Sequence, residues 1–222
     1  MARPHQLIEV FSVLDAAKAV AHIKRADPVL GRAIAAVGPF RLKRARNHFA
    51  TLSESIVHQQ LALKAAKTIA ARCRQLYGDG RGRFPTPAEL LRTPPRRLRA
   101  AGLSRQKIRY LKDLARQCAS GKLRLERLAR MGDEEIIVAL TQVKGIGRWT
   151  AEMFLIFSLG RPDVWAMDDL GLQLAVKKLY RLRKHPSPEK MRALGEAWRP
   201  YRTVASWYLW QARRLTLGVP LR

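Results

Sequence analysis

Apolar positions along the chain recur every three or four residues between short polar breaks. Strict alternation is nearly absent, which predicts helices and little strand. The breaks carry helix-start and helix-stop chemistry. Asp27 before Pro28 reads as an N-cap with proline at the first helical position, and Gly38-Pro39 ends that helix. Thr86-Pro87-Ala88-Glu89 is a capping box with a proline inside it. Ser104 starts a helix running towards Gly121, Gly132-Asp133 separates the next two, and Ser187-Pro188 opens another. Pro200 is expected in the first turn of a last helix that runs through Trp210. Phe49 to Tyr77 reads as two helices meeting near Gln59 to Leu63, with Gly78 past their end and a flexible basic loop over Gly78 to Arg83. The expectation is an all-α chain of about ten helices of roughly 8–18 residues joined by short loops. No internal repeat or low-complexity tract interrupts it.

Charge narrows the partner. The chain of 222 residues holds 43 Lys+Arg against 17 Asp+Glu, a net charge of +26, which attracts polyanions and points to nucleic acid. An anionic membrane surface is the competing reading. The basic residues, however, are spread through every segment and form no terminal amphipathic anchor. No apolar run approaches the roughly 18 residues of a membrane span, and the N-terminus lacks a secretory apolar core. That predicts an intracellular protein, in the cytoplasm or nucleoid if prokaryotic. Cys73 and Cys118 are too few for a zinc or iron–sulfur site and read as ordinary semi-buried thiols of a reducing compartment. No metal is expected on side chains, and no organic cofactor.

The segment with the most chemistry runs from Leu140 to Gln173. In Val143-Lys144-Gly145-Ile146-Gly147 the glycines open backbone angles closed to other residues and remove side chains that would block a ligand. A helix then starts at Arg148, with unpaired N–H groups and the positive dipole end at the turn, so a phosphate can sit there. Lys144 and Arg148 add charge, and Ile146 is the apolar plug between the two helices. The ordinary reading is a plain helix corner. Against it, the left helix (133–141), the Gly-Ile-Gly turn and the right helix (148–159) together match a helix-hairpin-helix. An acidic pair, Asp168-Asp169, follows that helix. Asp168 could serve as an N-cap to the next helix, but a cap needs only one carboxylate.

These residues resemble the helix-hairpin-helix with Gly/Pro-rich loop and catalytic Asp of the base-excision DNA glycosylase superfamily. GIGRWTAEMF followed by the Asp pair is most similar to the DNA-3-methyladenine glycosylase II branch. SIVHQQLALKAAKTIAAR (55–72) resembles the helix pair that carries its DNA-inserting residue, AGLSRQKIRYLKDLA (101–115) its next DNA-facing loop and helix, and WRPYRTVASWYLW (198–210) its C-terminal helix. The blocks stand in family order. The resemblance implies two helical lobes with the active-site cleft between them: one at about residues 41–166 with the hairpin at 133–159, the other at 1–40 plus 167–222. The chain reads as a compact member without the N-terminal β-domain of some relatives.

Roles follow residue by residue from that resemblance. Asp169, the second of the pair, is implied to be catalytic, with Asp168 a helix cap or secondary acid. An anion beside the sugar suits an oxocarbenium-like transition state, and it can also orient or deprotonate the attacking water. Lys144, Gly145, Ile146, Gly147, Arg148 and Thr150 are expected on the DNA backbone, with Arg105 and Lys107 holding further phosphates. Gln60 matches the inserting position that fills the gap left by an extruded base, with Leu61 beside it and Leu103 as a second candidate. Trp149, Met153 and Trp210 are expected to line the base pocket, where aromatic faces favour cationic alkylated bases. Trp207 is assigned to packing, and His58 to a structural or solvent-facing place. The resemblance further implies a monovalent cation held by hairpin backbone carbonyls and a DNA phosphate.

The position two after Gly147 decides the reaction type. Strand-cutting members of the superfamily carry a nucleophilic lysine there, whereas this chain has Trp149. The expectation is therefore a monomeric, monofunctional glycosylase that removes alkylated purines of the 3-methyladenine and 7-methylguanine type from duplex DNA. A bifunctional oxidised-base glycosylase/lyase and a non-catalytic helix-hairpin-helix module are the alternatives. Trp149 speaks against the first, and the acidic pair with its tryptophans against the second.

Overall fold

The computed structural model describes residues 8–9, 13–77 and 82–216; the basic loop expected over Gly78 to Arg83 lies outside them at 78–81. In chain order, strand β1 (Ile8–Glu9) precedes α1 (Val13–Ala26) and α2 (Pro28–Val37), and β2 (Lys43–Arg44) follows. Next come α3 (His48–His58), α4 (Leu63–Gln75), α5 (Pro87–Arg92), α6 (Pro95–Ala100) and α7 (Arg105–Ala119). A 3₁₀ turn at Leu125–Arg130 leads to α8 (Asp133–Thr141) and α9 (Arg148–Phe154). After a π turn at Leu155–Leu159 come α10 (Leu170–Leu179), α11 (Pro188–Ala197) and α12 (Arg202–Thr216). The fold is helical, as the pattern of apolar positions predicts. Two details differ. β1 and β2 form a two-stranded antiparallel pair, and several helices are shorter than expected, α5 and α6 having six residues each. No described helix is long and apolar enough to cross a membrane.

The caps do what their sequences say. Asp27 Oδ1 accepts the N–H groups of Val29 and Leu30 at 3.0 Å each. Thr86 and Glu89 form the reciprocal box that starts α5. Ser104 accepts from Lys107 N–H at the start of α7, and Ser187 from Lys190 N–H at the start of α11. Each such cap is worth about 1 kcal/mol. Pro200 departs from its expected place: α12 begins at Arg202, so the proline precedes its first turn. The right helix of the hairpin also ends early, at Phe154, where the backbone passes into the π turn.

The chain forms two compact units. One comprises residues 45–154. In it α3 packs on α4, α7 and α9, and α5 on α7, around buried Leu52, Ile56, Leu98, Leu114 and Ile136. The other joins residues 1–44 to 155–222. In it α12 packs against α2 and α10, and β2 against the π turn, so residues 155–166 belong with the C-terminal helices. Its polar centre is Asp27, which is buried. Besides capping α2, Asp27 accepts a hydrogen bond from Trp198 Nε1 at 3.0 Å and one from the Tyr180 hydroxyl. Burial, reinforced by that bond to a carboxylate, pushes the Tyr180 phenol well above its ordinary value.

Candidate active site and nucleic-acid interface

The hairpin turn between α8 and α9 is built from three sides. Gly145 has φ +84°, and a Cβ there would lie 2.1 Å from Tyr110 Cδ2, so only glycine lets the turn lie against the Tyr110 ring. Lys144 N–H donates to Asp113 Oδ2 at 3.0 Å, and Gln59 Nε2 donates to Gly145 O at 2.7 Å. Ile146 is buried between its helices, while a Cβ at Gly147 would meet open space. Burial opposes charge on Asp113, but the Lys144 amide, the Gln117 side chain and Arg116 outweigh it and hold its carboxyl below the usual aspartate value.

Beside this turn lies a cleft of about 770 Å³. The insertion turn supplies Gln59, Gln60 and Leu61, the hairpin Gly145, α9 Trp149 and Met153, and α7 Lys107 and Tyr110. Trp149 is 46% exposed, an unusual state for so large an apolar surface, and Met153 stands one helical turn along from it. Gln60 is exposed and occupies the left-handed region at φ +54°; Leu61 is exposed as well. His58 also lines the cleft, where burial lowers its imidazole below the ordinary value and Glu54 partly opposes this.

The described chain assigns several expected residues to other work. Leu103 is 1% exposed: Gly102, at φ +101°, turns the loop so that Leu103 enters the core and is not offered for insertion. Lys107 does not present a free ammonium for phosphate. Its Nζ donates to Val57 O and Gln59 O at 2.6 Å each, neutralising the carbonyl end of α3. Arg148 is ion-paired to Glu134 and Glu152. The Thr150 side chain is buried, which leaves only its backbone at the helix start. Arg105 and Lys144 are exposed.

In the other unit, Asp169 rather than Asp168 caps α10. Asp169 is 9% exposed, and its Oδ1 accepts Leu172 N–H at 2.7 Å, whereas Asp168 is exposed. The helix begins at Leu170, so the second acid of the pair is the one in cap position. The same Oδ1 accepts Trp210 Nε1 at 3.0 Å, and Trp210 stacks on Phe157 with ring centroids 5.7 Å apart. Trp210 thus acts on the carboxylate, a role its expected place in the base pocket does not include. Sequence reading missed Phe157, Gln59, Tyr110 and Asp113. Only the doubled glutamine at 59–60 carried any signal for one of them.

No group of three or more His, Cys, Asp or Glu among the described residues could hold a metal ion. The hairpin carbonyls are the other donors. Val143 O accepts Ile146 N–H at 3.0 Å and Gly145 O accepts Gln59 Nε2, so each keeps a second lone pair, which fits a weakly held hard cation.

Comparison with known proteins places the chain in a family. Residues 54–200 match the family model described as HhH-GPD superfamily base excision DNA repair protein. The chain is 39% identical over 202 residues to DNA-3-methyladenine glycosylase 1 of Schizosaccharomyces pombe, covering 89% of this chain and 88% of that protein. It is 37% identical over 164 residues to the putative DNA-3-methyladenine glycosylase YfjP of Bacillus subtilis, covering 72% of this chain and 57% of that one. Among solved structures it is similar to the S. pombe 3-methyladenine DNA glycosylase in complex with abasic DNA, with TM-score 0.79, 39% identity and coverage of 87% and 95%. The DNA-3-methyladenine glycosidase of Bacillus halodurans superposes with TM-score 0.81 at 38% identity, covering 96% and 94%.

Proposed function

Since the chain belongs to the HhH-GPD superfamily of base excision DNA repair proteins, we propose that it is a monofunctional DNA glycosylase acting on alkylated purines in duplex DNA. It hydrolyses the N-glycosidic bond of bases of the 3-methyladenine and 7-methylguanine type, leaves an abasic site, and works as a monomer. The carrying observation is Asp169: a largely buried carboxylate with one oxygen held by two N–H donors, from Leu172 and Trp210.

Cleavage of an N-glycosidic bond puts positive charge on the deoxyribose. A carboxylate already oriented by fixed donors stabilises that charge in the transition state without reorganising, and it can take the proton of the attacking water. An N3- or N7-alkylated purine is itself cationic and leaves as a neutral base, so no strong general acid is required. Trp149 lines the cleft, where its aromatic ring favours such an electron-poor base. At the position where strand-cutting members carry lysine, Trp149 has no amine to form a Schiff base.

Substrate holding falls to the hairpin. The N-terminal N–H groups of α9, the open approach over Gly147 and the Lys144 ammonium suit one backbone phosphate. A cation on the Val143 and Gly145 carbonyls would add attraction for the same phosphate. Gln60, at the tip of an exposed turn, fills the stack when the base is extruded, with Leu61 beside it.

The test is release of free methylated purine from alkylated duplex DNA, with strand breaks only after alkali. Asp169→Asn keeps a side-chain oxygen for the α10 cap and should bind abasic duplex normally while excising roughly 10²-fold or more slowly. Near-wild-type excision by that variant, or a borohydride-trapped covalent adduct of the wild type, would overturn the reading.

A further inference from the structure

Gln59 stands between the two DNA-facing turns of the 45–154 unit and touches both. Its side-chain amide donates to the Gly145 carbonyl inside the hairpin, 86 residues away, at 2.7 Å. Its own carbonyl accepts from Lys107 Nζ at 2.6 Å, and the same ammonium holds Val57 O. The next residue, Gln60, has φ +54°, a conformation that residues other than glycine keep only where their surroundings impose it. Few contacts can impose it here, because Gln60 and Leu61 are exposed. The groups that hold the turn are those on Gln59.

The hairpin end of this connection is equally constrained. Gly145 cannot retreat, because the Tyr110 ring lies where its Cβ would be. Lys144 cannot swing away without losing Asp113, nor Gln142 without losing the bond from Gln117 Nε2 at 3.1 Å. The hairpin is therefore a fixed body on α7, and Gln59 transmits its position to the insertion turn.

We propose that Gln59 is a positioning residue that couples the phosphate-holding hairpin to the base-displacing turn. Its amide bond to Gly145 holds Gln60 in its left-handed, outward conformation, so that a grip on the phosphate and entry into the stack occur in one register. The inference rests on the glycosylase reading above and on Gln60 as the inserting residue. Gln59 touches no reacting atom. It acts through Gln60, and its loss should weaken insertion while leaving the hairpin's hold on the backbone intact.

A double-mutant cycle in the full chain separates this from a merely structural role. Gln59→Met keeps the length of the side chain and removes the donor, Gln60→Ala removes the inserting group, and the third variant carries both. Single-turnover excision from alkylated duplex is read beside the fluorescence of 2-aminopurine placed next to the lesion, which rises when the stack opens. Gln59→Met should slow excision about tenfold and reduce the fluorescence rise, with affinity for undamaged duplex unchanged. The double variant should be no slower than Gln60→Ala alone. Excision by Gln59→Met within twofold of wild type, or losses that multiply in the double variant, would overturn the proposal. If Gln59→Met does not fold by its melting transition, Gln59→Leu, which is also neutral and offers no donor, takes its place in the cycle with the same criteria. A wild type that releases no methylated base would instead refute the glycosylase reading.

Discussion

Trp210 and Asp169, 41 residues apart in sequence, are joined by an indole N–H to carboxylate bond of 3.0 Å on the oxygen that also caps α10. The bond ties α12 to the acid that the proposed reaction depends on. Trp210→Phe keeps an aromatic ring for Phe157 to stack against and removes the indole N–H with part of the ring system. A hydrogen bond to a charged group is worth about 1.5–3 kcal/mol, so single-turnover excision should fall roughly 10–100-fold. Affinity for abasic duplex should not change. An unaltered excision rate would show that Asp169 does not depend on the Trp210 donor.

Gly171 leaves room for that pair. A Cβ at this position would lie 2.9 Å from Asp169 Oδ1 and 3.3 Å from the Trp210 ring. Alanine is the better helix former by about 1 kcal/mol in a helix interior, which offsets a similar loss at the disturbed Asp169 cap, so Gly171→Ala should melt close to wild type. It should nevertheless excise at least about tenfold more slowly, because the displaced group is the carboxylate itself. Thermal unfolding and single-turnover rates on the same preparation check both halves. A variant that is stable and fully active would show that Asp169 tolerates the shift.

Salt titration counts the phosphate contacts. Lys144 is exposed at the hairpin, whereas Lys107 is already engaged with two backbone carbonyls. Lys144→Ala should reduce the slope of log affinity against log salt by about 0.9, the value of one phosphate contact on duplex DNA. Lys107→Met should leave that slope unchanged and lower the melting temperature, because it uncovers the carbonyl end of α3. The opposite pattern would return Lys107 to the DNA backbone.

Asp113 makes the hairpin sensitive to acid. Its carboxyl is held below the ordinary value of 3.8, with the Lys144 amide, Gln117 and Arg116 together outweighing burial. A depressed carboxyl contributes stability that is present above its unfolded value and is lost as pH falls through its lowered folded value. The melting temperature of wild type should therefore drop more steeply below pH 4 than that of Asp113→Asn, which lacks the titrating group. Parallel curves for the two proteins would remove Asp113 from the acid response.

The sequence by itself determined what depends on neighbours a few residues away. Asp27, Thr86, Ser104 and Ser187 cap the helices they were expected to start, because a cap bonds to backbone two or three residues on. The Gly-Ile-Gly turn between two helices was legible for the same reason, and the basic composition pointed to a polyanion without any knowledge of the fold. Tertiary structure decided the remainder. Whether Leu103 faces solvent or the core depends on the packing around its loop, and local pattern carried no sign of its burial. Lys107 reads as a free cation until the carbonyls of Val57 and Gln59 are placed beside it. Asp169 became the cap because α10 starts at Leu170, and its second donor comes from a helix far along the chain. The bond from Gln59 to Gly145 spans 86 residues. Such contacts have no period and no spacing rule. They exist only once burial has chosen which surfaces meet, and that choice is made by the whole chain.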